Sequence, residues 1–158
     1  MGLQQFQTVS VDMLSHAHHL AACDLIVRAL PHYFEPVRHT LDSGTQVLAE
    51  NLGFPAGAAE KTIVALHGGD TVAGIVSGND SQNLQRAQMA YMQTLFRRLD
   101  DEQRTALRKT LADTAVRTES VSEQGWYLAG ISVAEGFEGT GLADRLMDIY
   151  YDQAPEAR

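Results

Sequence analysis

Residues 6–11, FQTVSV, alternate apolar and polar side chains, the two-residue period of a strand with one buried face. The period lengthens over HAHHLAACDLIVRAL (16–30), where Leu20, Cys23, Ile26, Val27 and Leu30 recur at helical spacing. Asp12 or Ser15 can cap this helix, and Pro31 marks its end. SGTQVLAENLGF (43–54) predicts a shorter helix with Gly53 near its C-terminus and Pro55 beyond. Two β-branched runs, TIVAL and TVAGIVS, then flank HGGD within residues 61–78. They predict a hairpin whose strands are central in a sheet, because both runs are almost continuously apolar.

Residues 81–114 return to helical spacing. Leu84, Ala87, Met89, Met92, Leu95, Phe96 and Leu99 form a stripe that reads as core or as contact surface, with Arg86, Arg97 and Arg98 flanking it. Ser81 is placed to cap the first helix here. Asp100-Asp101 restarts a second one, in which Leu107 and Leu111 lie four apart. A polar connector, VRTESVSEQG (116–125), leads to YLAGISVAEGFEGTGLADRLMDIYY (127–151), which reads as strand, glycine-punctuated turn and helix. No internal repeat, low-complexity tract or linker interrupts the chain, so residues 1–158 are expected to form one domain.

Composition narrows the partners. At 44% apolar and 20% charged residues the chain is globular in type. A formal net charge of -8 argues against nucleic acid, whose phosphates need clustered Lys and Arg. No apolar run approaches the roughly 18 residues of a membrane span, and the N-terminus has neither the basic start nor the apolar run of an export signal. A cytoplasmic protein without membrane contact is expected. The single cysteine, Cys23, allows no intrachain disulfide and falls in an apolar helical pattern, as a small core residue would.

Residues 136–144, at that glycine-punctuated turn, are the stretch with chemical promise. Between a strand and a helix, successive N–H groups lack intrahelical partners and face the positive end of the helix dipole, which suits a phosphate. Two familiar phosphate loops do not fit. A P-loop requires Lys after its last glycine, and Gly141 is followed by Leu142. A dinucleotide fingerprint begun at Gly139 meets Asp144 where its third small residue belongs, and the surrounding βαβ unit is missing.

Glu138-Gly139-Thr140-Gly141-Leu142-Ala143 resembles the acyl-CoA-binding motif of the GCN5-related N-acetyltransferase (GNAT) family. That motif is Arg or Gln, two residues, Gly, one residue, then Gly or Ala; Glu138 stands here at the Arg or Gln position. The strand WYLAGISV and the helix GLADRLMDIYY occupy the family's places, and the upstream order of strand, helices and hairpin also follows it. The resemblance therefore covers nearly the whole chain, with the helices of 81–114 as an elaboration. It implies an α/β (α+β) fold of the acyl-CoA N-acyltransferase type, a mixed, mostly antiparallel sheet of about four strands flanked by helices.

The resemblance further implies acetyl-CoA as cosubstrate and a small-molecule or peptide amine as acceptor. Backbone groups of Glu138, Gly139, Thr140, Gly141, Leu142 and Ala143 would hold the pyrophosphate, and the strand from Ile131 to Val133 the pantetheine arm. The family pattern continues with a further strand, a helix and a closing hairpin, whereas this sequence ends soon after the motif helix at YYDQAPEAR. Either the sequence is a fragment, or another chain completes the fold, a homodimer being one expectation, or the activity has been lost. A catalytically degenerate domain serving ligand binding or oligomerisation is the alternative to an active enzyme.

Other residues carry less. His16 and His19 lie one helical turn apart without an evident third ligand, so no metal is expected. His32 and His39 flank Pro36 without a recognisable spacing, Glu119 and Glu123 sit in a polar connector, and Tyr127 could line an acceptor site or simply pack. No catalytic acid or base is assigned.

Overall fold

The computed structural model describes residues 5–10, 13–29, 45, 61–80, 86, 89, 93–115 and 126–153. Four strands and three helices are delimited: β1 (Phe6–Ser10), α1 (His16–Ala29), β2 (Lys61–His67), β3 (Thr71–Asp80), α2 (Asp101–Ala115), β4 (Trp126–Val133) and α3 (Leu142–Gln153). The strands form one sheet in the order β1-β2-β3-β4, each pair antiparallel. The predicted hairpin is present, with Gly68, Gly69 and Asp70 as its turn, and its two strands are the central pair.

The apolar continuity of β2 and β3 has the cause expected for central strands. Both faces of the sheet are covered. Val64, Leu66, Val72 and Ile75 pack with Ala22 and Leu25 of α1 on one face. Phe6, Ile63, Ala65, Ala73 and Val76 pack with Leu142, Leu146 and Tyr150 of α3 on the other. Leu142, Leu146 and Tyr150 are spaced four apart and are all buried, the stripe through which a helix seats on a sheet.

Two irregularities shape the sheet near the turn. Leu66 pairs with Val72 and Ala65 with Gly74, so Ala73 is an extra residue in β3. Likewise Ser77 pairs with Gly130 and Gly78 with Leu128, leaving Ala129 extra in β4. β4 is the end strand of this sheet, and among the described residues no strand pairs with its outer edge.

The helix starts follow their caps. Ser15 Oγ accepts from the His18 N–H at 3.2 Å, which places Ser15 at the N-cap of α1. Asp100 and Gln103 exchange hydrogen bonds, the Gln103 N–H to Asp100 Oδ1 at 2.8 Å and the Asp100 N–H to Gln103 Oε1 at 3.1 Å. This reciprocal capping box explains why the helical run at 93–98 stops and α2 begins at Asp101.

Two expectations are revised in detail. The buried residues of α1 are Ala22, Cys23, Leu25 and Val27, while Leu20 and Ile26 are half-buried, because α1 packs across β3 and β4 rather than along one strand. In the stripe before α2, Leu95 and Leu99 are buried and Phe96 is half-buried, but Met89 is 63% exposed and is not core. The expected helix at 43–54 and the connector at 116–125 lie outside the described residues, apart from Thr45.

Candidate active site

The strand–turn–helix unit predicted at 127–151 runs from β4 through residues 134–141 into α3. Three glycines of the turn have positive φ: Gly136 at 89°, Gly139 at 71° and Gly141 at 80°. Such dihedrals are strained for a residue with a β-carbon, so the backbone path itself calls for glycine. A β-carbon at Gly136 or Gly139 would meet no atom within 4 Å. These glycines therefore face open space, and a ligand could approach the main chain there.

The turn is held from within and from the sheet. The Ala134 N–H donates to Ala73 O at 2.8 Å, anchoring the turn to the extra residue of β3. The Phe137 N–H donates to Ala134 O at 3.1 Å, and the Thr140 hydroxyl donates to Phe137 O at 2.6 Å. The Arg145 N–H donates to Gly141 O at 3.1 Å, which makes Gly141 the N-cap of α3.

That assignment has a chemical consequence. At α1 and α2 the N-cap side chain accepts a hydrogen bond from an N–H of the first helical turn. Gly141 has no side chain with which to do so. The leading N–H groups of α3 thus keep their donor capacity at the positive end of the helix dipole, directly after a turn with an open main chain. An acceptor carrying negative charge is the complement of this arrangement.

The residues expected to bind cosubstrate are brought together, though they offer different atoms. Glu138, Gly139 and Ala143 are exposed, whereas the Leu142 side chain is buried beneath α3, leaving only its main chain for a ligand. The Thr140 hydroxyl is turned inward onto Phe137 O. Ile131 and Val133 lie half-buried on β4, where they pair with Val76 and Gly74 of β3. Glu135, Glu138 and Asp144 stand exposed around the turn, so its rim is acidic.

Two features of the site escaped the linear reading. Phe137 packs against Phe6 and His67, with ring centroids 5.7 and 5.2 Å away, and Phe6 and His67 are 5.5 Å apart. Phe6 and His67 are direct cross-strand partners of β1 and β2, a pairing visible only once the register is known. Gly74, inside β3, lies under α3, and a glycine within a strand is the one available signal of such an approach.

Among the described residues the remaining candidates gather no site; His32, His39, Glu119 and Glu123 lie outside them. His18 Nε2 lies 2.9 Å from Asp70 O, tying the start of α1 to the β2–β3 turn. Among the described residues no three His, Cys, Asp or Glu side chains converge as metal ligands. Nor is any described helix long and apolar enough to cross a membrane. Cys23 is fully buried, and desolvation pushes its thiol up from 9.0 to about 12, the opposite of a reactive thiolate.

Known proteins bear on the fold. A crystal structure of an acetyltransferase superposes with a TM-score of 0.65, covering 94% of this chain and 74% of its own, at 21% sequence identity. The fold is acetyltransferase-like. No protein-family model matches the sequence, and no curated protein matches it either. The four-stranded antiparallel sheet flanked by helices agrees with the fold class expected from the sequence.

Proposed function

We propose that this chain is an N-acetyltransferase of the GNAT type, taking acetyl-CoA as cosubstrate and an amine as acceptor. The observation that carries the reading is the glycine-capped start of α3, entered through three positive-φ glycines at the end of β4. Main-chain N–H groups from Glu138 to Ala143 would bind the pyrophosphate, and the outer edge of β4 from Ile131 to Val133 would lie along the pantetheine arm. The acetyltransferase-like fold supports this assignment at the level of architecture.

In the reaction, an amine nitrogen attacks the thioester carbonyl carbon. A C–N bond forms, the C–S bond breaks with its electron pair leaving on sulfur, and the nitrogen gives up a proton to a base or water. The contribution of this chain would be placement of the thioester and an N–H of β4 directed at the developing oxyanion. No side chain is assigned as base.

A second reading, a non-catalytic ligand-binding or oligomerisation module of the same fold, draws on two observations. The rim carboxylates Glu135, Glu138 and Asp144 oppose a polyanion, and β4 leaves its outer edge free for another strand among the described residues. Incubation of the chain with acetyl-CoA and a panel of primary amines, followed by free-thiol release, separates the two. Amine-dependent thiol release is expected. Retained binding without release for any amine would favour the module.

A further inference from the structure

We infer that His67 is a positioning residue for the glycine turn: its ring, packed against both Phe6 and Phe137 in a three-ring cluster, sets the orientation of the main-chain donors that follow Phe137. The inference rests on the reading of that turn as the cosubstrate site.

Phe137 is the hub of the turn. Its N–H is spent on Ala134 O, its carbonyl accepts from the Thr140 hydroxyl, and its ring packs on Phe6 and His67. Two of these links are local to the turn; only the ring reaches β1 and β2. Since φ of Gly136 and Gly139 flank Phe137 and glycine is the softest backbone position, the neighbouring peptides would swing without that external hold. The ring of Phe137 therefore converts packing on the sheet into a fixed direction for the N–H groups of residues 138–141.

His67 is the adjustable member of the three. Phe6 is 5% exposed and belongs to the main core on the α3 face of the sheet, whereas His67 is half-buried at the end of β2. Its Nε2 lies 3.0 Å from Gln5 Oε1. A carbonyl oxygen only accepts, so in this contact Nε2 carries the hydrogen and donates, which ties one edge of the ring to Gln5. So held, the imidazole meets Phe6 at 54° and Phe137 at 52°, tilted contacts that favour ring edges over faces. Gln5 thereby reaches the turn through two rings.

The test compares His67→Ala, His67→Phe and Gln5→Ala with the parent chain. Acetyl-CoA affinity, the thermal midpoint and the amide resonances of Gly139 and Gly141 are measured for each. Loss of both ring contacts in His67→Ala should weaken acetyl-CoA by about tenfold and shift both glycine resonances. His67→Phe, which restores the ring, should recover affinity to within about threefold. Unchanged glycine resonances in His67→Ala would overturn the inference, as would a His67→Phe variant no better than His67→Ala at similar thermal midpoint. If His67→Ala does not fold, Gln5→Ala decides, because freeing the imidazole must still move the Gly139 and Gly141 resonances. A parent chain that binds no acetyl-CoA would refute the cosubstrate reading alone, since the resonances report the turn without ligand.

Discussion

Gly74 of β3 lies directly beneath Leu146 of α3: a β-carbon at Gly74 would stand 3.0 Å from Leu146 Cδ1 and 3.2 Å from both Leu142 Cδ2 and Ser132 O. The leucine ends can yield slightly, but the Ser132 carbonyl belongs to the β4 backbone and cannot move without disturbing the sheet. The close seat matters because Leu142 is the first residue of α3, so the height of the helix over β3 also sets the height of its donors.

Gly74→Val should consequently cost about 1–3 kcal/mol of stability through overpacking. It should also weaken acetyl-CoA more than a surface substitution of equal thermal effect. Denaturant unfolding and ligand titration measure the two. A Gly74→Val chain as stable as the parent would show that α3 is not seated as described.

Glu138→Gln should strengthen acetyl-CoA binding. Glu138 is exposed beside main-chain donors suited to an anion, so its charge repels the ligand through solvent. The expected gain is about threefold to tenfold at low ionic strength, shrinking as salt is added. Titrations at two salt concentrations give the result; a loss of affinity would mean that the carboxylate serves the ligand.

Thr62→Val should stabilise the fold. Thr62 pairs across the ladder with Ser77, is 2% exposed, and among the described residues its hydroxyl has no hydrogen-bond partner. Replacing a buried unpaired hydroxyl by a methyl group of similar shape removes a desolvation cost of about 1–3 kcal/mol and keeps β-branching. A rise in the thermal midpoint is the expected readout.

Cys23 gives a dependence on alkaline pH. Burial raises its thiol from 9.0 to about 12, so the folded chain keeps the proton over a range where the unfolded chain loses it. The stability contributed is complete below the unfolded value and declines by about 1.4 kcal/mol per pH unit as pH climbs towards the folded value. The stability difference between the parent and Cys23→Ala should therefore fall above pH 9.0 and be flat at neutral pH. A disulfide-exchange reagent should find the thiol unreactive at neutral pH until the chain unfolds.

The sequence carried the secondary structure well where a periodic pattern was long or a turn residue was decisive. The runs TIVAL and TVAGIVS announced the central hairpin, and WYLAGISV matches β4 residue for residue. The break at Asp100 was also legible, since Asp100-Asp101 marked a helix start, which the structure completes as a capping box with Gln103. The three glycines of the turn marked the main-chain path. What could not be read was anything set by register. The meeting of Phe6, His67 and Phe137 depends on how β1 pairs with β2, and the role of Gly74 on an extra residue, Ala73, that no local pattern announces. Met89 is exposed, which removes it from the core and leaves the contact-surface reading, because helical spacing assigns a residue to a face without saying what covers that face.

Whether the turn from Glu138 to Ala143 binds the pyrophosphate of acetyl-CoA through its main chain is decided by a calorimetric titration of acetyl-CoA into the parent chain and into Gly141→Val, with the fold of each verified by circular dichroism. Gly141 has φ of 80° and is the N-cap of α3, so valine there should displace the donors. A micromolar complex is expected for the parent, about -8 kcal/mol, with loss of at least about 3 kcal/mol of it in Gly141→Val. Equal affinity in a folded Gly141→Val chain would rule out main-chain binding at this turn and place any acetyl-CoA site elsewhere.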